Sequence, residues 1–127
     1  MDNYTVEYMP DYGIIKVQIK GEFDAQVLSM ATSKLVEEIS RHDCSQILMD
    51  HRDATSKLPI VDLYNRPEIA ASLGIERSNR IAIIYSKEED DYRFLETVAR
   101  NKGFMVKIFK DLDEGIKWLN PKKHIQE

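Results

Sequence analysis

The side chains best suited to chemistry follow one apolar run near the middle of the chain. Ile47-Leu48-Met49 leads directly into carboxylates, an imidazole, a guanidinium and two hydroxyls. Such groups can act as acid, base, nucleophile or ligand when a fold brings them together. We therefore take the end of this run, within Gln46 to Ser56, as the first candidate site. Its candidate binding residues are Asp50, Arg52, Asp53, Thr55 and Ser56.

His51 is the histidine best placed for acid–base catalysis. His42 falls where a helix is expected to end, a position that suits its positive charge, and His124 belongs to the C-terminal tail. One alternative is therefore a small hydrolase-type enzyme that uses His51 with Asp50 or Asp53. Adjacent residues of a strand point to opposite faces, which argues against a shared site for His51 and Asp50.

Known catalytic and metal-binding templates are missing from the sequence. It contains no nucleophile elbow, no glycine-rich phosphate loop and no paired Cys/His spacing for zinc. Cys44 is the single cysteine, so it can form neither an intramolecular disulfide nor a thiolate metal site. We expect no catalytic residue, no metal and no cofactor, and the sequence favours a non-enzymatic protein.

Composition narrows the classes of partner. Lys and Arg number 18 against 22 Asp and Glu, and the basic residues are scattered, which argues against nucleic acid as a partner. The N-terminus lacks the basic and apolar regions of a signal peptide, and no apolar run approaches the ~18 residues of a membrane span. We therefore expect a soluble cytoplasmic protein with no integral membrane segment.

The first third of the chain predicts a hairpin and a long helix. Alternating apolar residues indicate strands at Tyr4 to Met9 and Ile14 to Ile19, the second ending at Gly21-Glu22. The spacing of apolar residues then becomes helical. Asp24 is the expected N-cap, and the helix should end near Arg41-His42.

The rest of the chain predicts further strands and helices in alternation. After the central strand, Pro67 should break a helix into Pro59 to Asn65 and Pro67 to Leu73, because proline lacks a backbone donor. Arg80 to Tyr85 has the composition of a buried strand. Ser86 and Glu89 then stand at capping-box spacing before an acidic helix start.

A last strand, Met105 to Phe109, and a short helix capped by Asp111 complete the pattern. The order β-β-α-β-α-β-α-β-α predicts an α/β fold: a mostly parallel five-stranded sheet, an N-terminal antiparallel hairpin and about four helices. Residues 1–120 should form one domain, followed by a tail at 121–127.

Polar residues at the expected ends of the strands permit a second alternative, a receiver-like phosphoacceptor domain. Acids would hold Mg²⁺, Asp50 would accept the phosphoryl group, and a hydroxyl and a lysine would contact its oxygens. The residues that match these roles by order are Glu22, Asp24, Asp50, Ser86 and Lys110.

Three short patterns resemble the SpoIIAA-like group of STAS-related proteins, and the resemblance runs from about Tyr4 to Leu119. They are an L-x-D-x-R strand end (Leu48, Asp50, Arg52), a V-x-I-F strand (Val106, Ile108, Phe109) and a D-x-x-E-x-x-x-W-L helix (Asp111, Glu114, Trp118, Leu119). The resemblance implies a regulatory domain that works by binding a protein partner and not by catalysis.

The resemblance also implies a place for regulation. Anti-sigma-factor antagonists of this group are phosphorylated on a serine in a D-S-S-G-like loop after the central strand. The corresponding stretch here, Asp53 to Pro59, lacks that sequence and its glycine. Thr55 and Ser56 are the candidates for phosphorylation, and they are also explained as helix-capping hydroxyls.

Two further expectations concern partners. The arrangement of sheet and helices is similar to that of lipid-exchange domains of the Sec14 type, which allows a small apolar ligand between Lys57 to Leu73 and the sheet. An exposed hairpin edge can pair with a second copy of the chain, so a homodimer is also an expectation.

Overall fold

A hairpin followed by alternating helices and strands makes up residues 3–120, the part of the chain that the computed structural model describes. The strands are β1 (Tyr4–Met9), β2 (Ile14–Phe23), β3 (Gln46–Ser56), β4 (Arg80–Ile84) and β5 (Met105–Phe109). The helices are α1 (Ala25–His42), α2 (Ile60–Leu73), α3 (Glu89–Asn101) and α4 (Leu112–Leu119). The predicted α/β class and element order are confirmed. The predicted tail at 121–127, with His124, lies outside the described residues.

The five strands lie in the sheet in chain order, β1-β2-β3-β4-β5. β1 pairs with β2 antiparallel, and the remaining neighbours pair parallel. Because every parallel crossover moves in the same direction along the sheet and crossovers are right-handed, α1, α2 and α3 lie on one face. The strand order never reverses, so the sheet has no switch point at which a ligand crevice would form.

The two faces of the sheet carry separate apolar cores. The face under α1 to α3 buries alternate β2 residues such as Ile15, Val17 and Ile19 against the helices. The opposite face buries Leu48 and Ile84 against α4. Side chains that alternate along one strand therefore enter different cores.

β2 and β3 are both longer than their sequences indicate. β2 continues to Phe23 past an irregularity between Gln18 and Lys20, and Gly21 there has a φ of 76° that favours glycine. This extension pairs with Ala54 to Ser56 of β3. The predicted strand end at Gly21-Glu22 is wrong, because pairing with a distant segment satisfies backbone groups that the local pattern leaves as loop.

The predicted caps of α1 and α4 are confirmed. Asp24 accepts a hydrogen bond from the backbone N–H of Val27 at 3.0 Å, and Asp111 accepts one from Asp113 at 3.0 Å. α1 ends at His42, as its basic last turn indicates. These carboxylates satisfy amide donors that have no partner inside the helix.

The predicted break in α2 is wrong, because one helix runs from Ile60 to Leu73 with Pro67 inside it. Proline in a helix interior removes one hydrogen bond and costs about 3 kcal/mol. Pro67 is buried, as are Leu63 and Arg66, and α2 packs against α1 and α3. Tertiary packing thus overrides the local penalty.

The capping box predicted for α3 does not form. The N-cap is Glu88, in a left-handed conformation at φ 61°, and the acidic first turn begins at Glu89. The Ser86 hydroxyl instead donates to the backbone carbonyl of Arg52 at 2.6 Å. That bond connects β3 to the segment that follows β4.

Candidate functional site

Asp50 and Arg52 form an ion pair on the α4 side of β3. Arg52 donates from Nε to Asp50 Oδ1 at 2.9 Å and from Nη2 to Oδ2 at 2.8 Å. Lys16 Nζ lies 3.9 Å from the same carboxylate. Asp50 is only 1% exposed, so it depends on these cations for stability. The alternate spacing of the two residues places them on one face, as expected for a structural pair.

The ionised form of Asp50 is favoured by its partners. Burial raises the pKa of the carboxyl, but hydrogen bonds from the Arg52 side chain and backbone outweigh it and hold the pKa below its ordinary value. Asp50 is therefore an anion with its oxygens already hydrogen-bonded. That state suits a structural ion pair and leaves little freedom for a phosphoacceptor.

The other residues of the receiver-like set each contact a different partner and none of these described contacts is with Asp50. Glu22 pairs with Lys57, Asp24 caps α1, Ser86 bonds to Arg52 and Lys110 pairs with Glu89. Within residues 3–120, no group of three or more His, Cys, Asp or Glu side chains could hold a metal ion. The geometry therefore does not bring together the groups that phosphoryl transfer to Asp50 requires.

His51 lies on the opposite face of β3, in the core under α1 to α3. Its Nδ1 is 2.9 Å from the Tyr92 hydroxyl, and its ring packs edge-on against Phe23 and Tyr92. Burial lowers the pKa of His51 to about 4, so the ring is neutral near pH 7. None of its described hydrogen bonds involves Asp50 or Asp53. The pairing that a hydrolase would need is not assembled.

Tyr92 is a competent donor to His51. Burial raises the pKa of its hydroxyl, and the charges of Glu88 and Asp91 add to the effect. The hydroxyl therefore keeps its proton. When it donates to Nδ1, the proton of the neutral imidazole resides on Nε2.

A cavity of about 90 Å³ lies between the sheet and α1, α2 and α3. Most of its wall is apolar, with side chains from all three helices and from β3, β4 and β5. Three polar side chains, Thr32, His51 and Arg66, also line it. The cavity occupies the place that the Sec14-type similarity suggested. Arg66 was missed by sequence reasoning, because a charged residue beside Pro67 indicates a helix break and not burial.

Thr55 and Ser56 end β3 and do not cap α2, so the helix-capping interpretation is wrong. The N-cap of α2 is Pro59, which has no side chain able to accept. The Ser56 hydroxyl accepts from the backbone N–H of Leu58 at 3.2 Å, and the Ser56 N–H donates to Glu88 Oε1 at 3.0 Å. The stretch that the sequence predicts as a loop is therefore the end of β3, and the hydrogen bond from Ser56 to Glu88 connects it to the start of α3.

The first two turns of α2 expose large apolar side chains. Ile60, Val61 and Tyr64 are each more than half exposed and form what we call the α2 patch. Helical spacing predicts Ile60 and Tyr64 as core residues together with Leu63, yet only Leu63 is buried among these three. The periodicity identifies a helix but cannot show how far it lies from the sheet.

Solved structures with similar folds include two anti-sigma factor antagonists and one uncharacterised protein. An anti-sigma factor antagonist from Mycobacterium paratuberculosis matches with a TM-score of 0.61 and 18% identity over 91% of this chain and 92% of that one. An uncharacterised protein with a SpoIIAA-like fold from Shewanella loihica matches at 0.60 and 18%, over 91% of each chain. The anti-sigma factor antagonist SpoIIAA in its unphosphorylated form matches at 0.54 and 12%, over 91% and 96%.

These likenesses establish the SpoIIAA-like, STAS-type fold that the sequence patterns indicate. No protein-family model and no curated protein matches the chain. Across residues 3–120, none of the helices is both long enough and apolar enough to span a bilayer.

Proposed function

We propose that this chain is a non-enzymatic regulatory domain that binds a protein partner through the end of β3 and the α2 patch. The observation that carries the proposal is the exposure of Ile60, Val61 and Tyr64 on consecutive turns of one helix. Apolar side chains clustered at a surface commonly mark sites of protein contact.

The polar residues beside the patch support a binding role. Lys57 precedes the α2 patch in the chain and forms an exposed ion pair with Glu22. Asp62 lies in the first turn of α2, beside the patch. An apolar centre with charges at its margin is the usual arrangement of a transient protein interface. The solved neighbours include two anti-sigma factor antagonists, so anti-sigma factors from the same organism are the first partners to test.

Candidate catalytic groups are occupied by structural contacts, which favours binding over catalysis. Asp50 is bonded to Arg52, and His51 faces a different core from Asp50. Asp53 is exposed at the strand end and is retained as part of the proposed binding surface, with Arg52, Thr55 and Ser56.

Affinity capture with matched variants tests the proposal. Ile60→Asp places a charge in the α2 patch, whereas Met30→Asp places one at an exposed apolar residue of α1. We expect a partner that is retained by the wild type and by Met30→Asp to bind Ile60→Asp at least about tenfold more weakly, which is about 1.4 kcal/mol. A partner bound equally by all three proteins would contradict the proposed surface.

Phosphorylation of Ser56 is a further part of the proposal. A phosphate there would add negative charge close to Glu88, whose carboxylate accepts from the Ser56 N–H. Repulsion should open the link between β3 and α3 beside the α2 patch. Ser56→Asp should weaken partner binding several-fold while Ser56→Ala retains it. Equal binding by both variants would remove Ser56 from the regulatory account, and Thr55→Asp provides the same test for Thr55.

A further inference from the structure

The α4 face of the sheet is only partly covered, because α4 lies over β3 and β4. It packs its apolar side chains against Leu48 of β3 and Ile84 of β4. Met105 and Lys107 of β5 lie on the same face, since the register places Lys107 beside Ala82 of that core. Both β5 residues are exposed. A parallel sheet normally has both faces covered, so this part of β5 is an unpartnered sheet face.

Two grooves, of about 330 and 540 Å³, border the open face of β5. Six residues that line them form what we call the β5 surface: Arg80, Arg100, Met105, Lys107, Lys117 and Trp118. One carboxylate, that of Glu114, lines the same grooves. Within residues 3–120, none of the four cations of the β5 surface has a carboxylate within 4.0 Å. The surface therefore carries unpaired positive charge in a chain whose net charge is −4.

Arg80 is held in place where the two grooves meet. Its Nη2 donates to the backbone carbonyl of Trp118 at 2.8 Å, and its guanidinium carbon lies 4.1 Å from the centroid of the Trp118 ring. A guanidinium stacked on a ring can still donate from its edge to a carboxylate. Arg80 is therefore positioned before any partner binds, which lowers the entropy cost of binding.

We propose that the β5 surface binds an acidic segment of a protein partner. Carboxylates of that segment pair with Arg80, Lys107 and Lys117, because charge complementarity selects an anionic partner. Apolar side chains of the segment pack against Met105 and Trp118. The β5 surface lies on the opposite face of the sheet from the α2 patch, so the two surfaces can bind different partners.

A protein segment fits this surface better than a nucleic acid does. Single-stranded nucleic acids combine a cationic groove with aromatic rings on which bases stack. Here Arg80 already lies over the Trp118 ring, and Lys107 lies over the Phe109 ring, with Nζ 5.5 Å from its centroid. Met105, which is 38% exposed, offers an apolar contact that a peptide side chain can use. Mixed apolar and charged contacts are typical of protein interfaces.

Fluorescence anisotropy with two labelled peptides tests the proposal. One peptide consists of Glu-Glu-Leu repeats and has about nine residues, enough to span the five residues of β5 when extended. The other has Gln in place of Glu. We expect saturable binding of the Glu peptide, at least about tenfold tighter than that of the Gln peptide at low ionic strength. No saturable binding, equal affinity for the two peptides, or tighter binding of an oligothymidylate of the same length would overturn the proposal.

Matched charge reversals locate the binding surface. The double variant Lys107→Glu, Lys117→Glu reverses two exposed cations of the β5 surface, and we expect it to bind the Glu peptide at least about tenfold more weakly. The double variant Lys20→Glu, Lys87→Glu makes the same change in net charge at exposed positions outside both grooves, and binding should be retained. Equal loss in the two double variants would show that binding follows net charge alone and would overturn the assignment.

The test is independent of the interface proposed at β3 and the α2 patch. Ile60→Asp alters the α2 patch on the other face of the sheet, so it should bind the Glu peptide as the wild type does. Loss of peptide binding in a folded Ile60→Asp protein would contradict the placement of the site on the β5 surface. The comparison of the two peptides on the wild type depends on no variant.

Discussion

Asp50 and His51 are adjacent in β3 yet enter different cores and respond to pH for different reasons. Asp50 lies with Arg52 and Lys16 on the α4 side, whereas His51 lies with Tyr92 under the other three helices. The alternation of a strand makes this separation predictable from sequence. Which face each residue would take was not predictable, because it depends on where the helices pack.

Asp50→Asn should destabilise the fold by about 2 kcal/mol, because it replaces charged hydrogen bonds to Arg52 with weaker ones in a buried position. Asp53→Asn, a matched change at an exposed position of the same strand, should alter the free energy of unfolding by less than about 0.5 kcal/mol. Urea unfolding at pH 7 measures both. Equal effects of the two substitutions would show that the Asp50 pair contributes nothing specific.

The same pair predicts a response to acid. The folded-state pKa of Asp50 is depressed, so its contribution is present above the unfolded value of about 3.9 and is lost as the pH falls through the lower folded value. Stability measured between pH 5 and pH 2 should therefore fall less in Asp50→Asn than in the wild type.

As the pH falls, protonation linked to His51 should lower the stability of the fold earlier, at a higher pH, than protonation of Asp50. Its folded pKa of about 4 lies below the unfolded value of about 6.5, so the unfolded chain binds the extra proton between these values. The free energy of unfolding should decrease by about 2 kcal/mol from pH 7 to pH 5 through this residue alone. His51→Leu should remove that part of the slope, and His42→Gln should retain it. A slope that is unchanged in His51→Leu would contradict a buried neutral imidazole.

At the scale of the element, α4 illustrates a close approach that sequence does not reveal. Gly115 faces β4, and a Cβ added there would lie 2.5 Å from Ile84 Cδ1 and 3.4 Å from Leu48 Cδ1. The helical pattern of Leu112, Ile116 and Leu119 predicts the helix, but the glycine gives no local indication that the sheet is so near.

Gly115→Ala should therefore destabilise the protein by about 1–2 kcal/mol, although alanine is the better helix former by about 1 kcal/mol. The added methyl must displace buried side chains on the α4 face. Lys117→Ala, at an exposed position of the same helix, should change stability by less than about 0.5 kcal/mol. A stabilised Gly115→Ala protein would show that α4 can move away from β4 at little cost.

Errors of prediction concentrate where distant segments meet. α1 and α4 were predicted with their caps, because Asp24 and Asp111 act within one turn of chain. The ends of β2 and β3, the continuity of α2 and the role of Ser86 were mispredicted, because each depends on a partner far along the chain. Ser86, for example, bonds to a carbonyl 34 residues earlier and not to its own helix.

At the scale of the molecule, the class and order of elements followed from local periodicity, but the two-sided arrangement did not. The placement of α1, α2 and α3 on one face follows from the strand order together with right-handed crossovers. α4 follows the last strand, so no crossover determines its side, and it packs on the other face. That arrangement creates the cavity and leaves the α2 patch on the outside. Arg66 and the α2 patch could not be found from sequence, since both depend on α2 packing on other helices.

The outer edge of β1 remains the predicted site of homodimerisation. β1 is an edge strand of the sheet, and edge strands present backbone groups that can pair with a second chain. Sedimentation equilibrium at several concentrations measures the mass in solution. A monomer of 14.8 kDa at all concentrations would rule out this contact.

Hydrogen–deuterium exchange of the chain, alone and saturated with a partner recovered by capture, tests the proposed function most directly. Slower exchange in the complex should concentrate at the end of β3 and the start of α2, from Thr55 to Tyr64, because these backbone groups lie under the proposed interface. The edge of β1 and the outer side of α4 should exchange as in the free chain. Protection confined to either of those two regions, with none between Thr55 and Tyr64, would contradict the account.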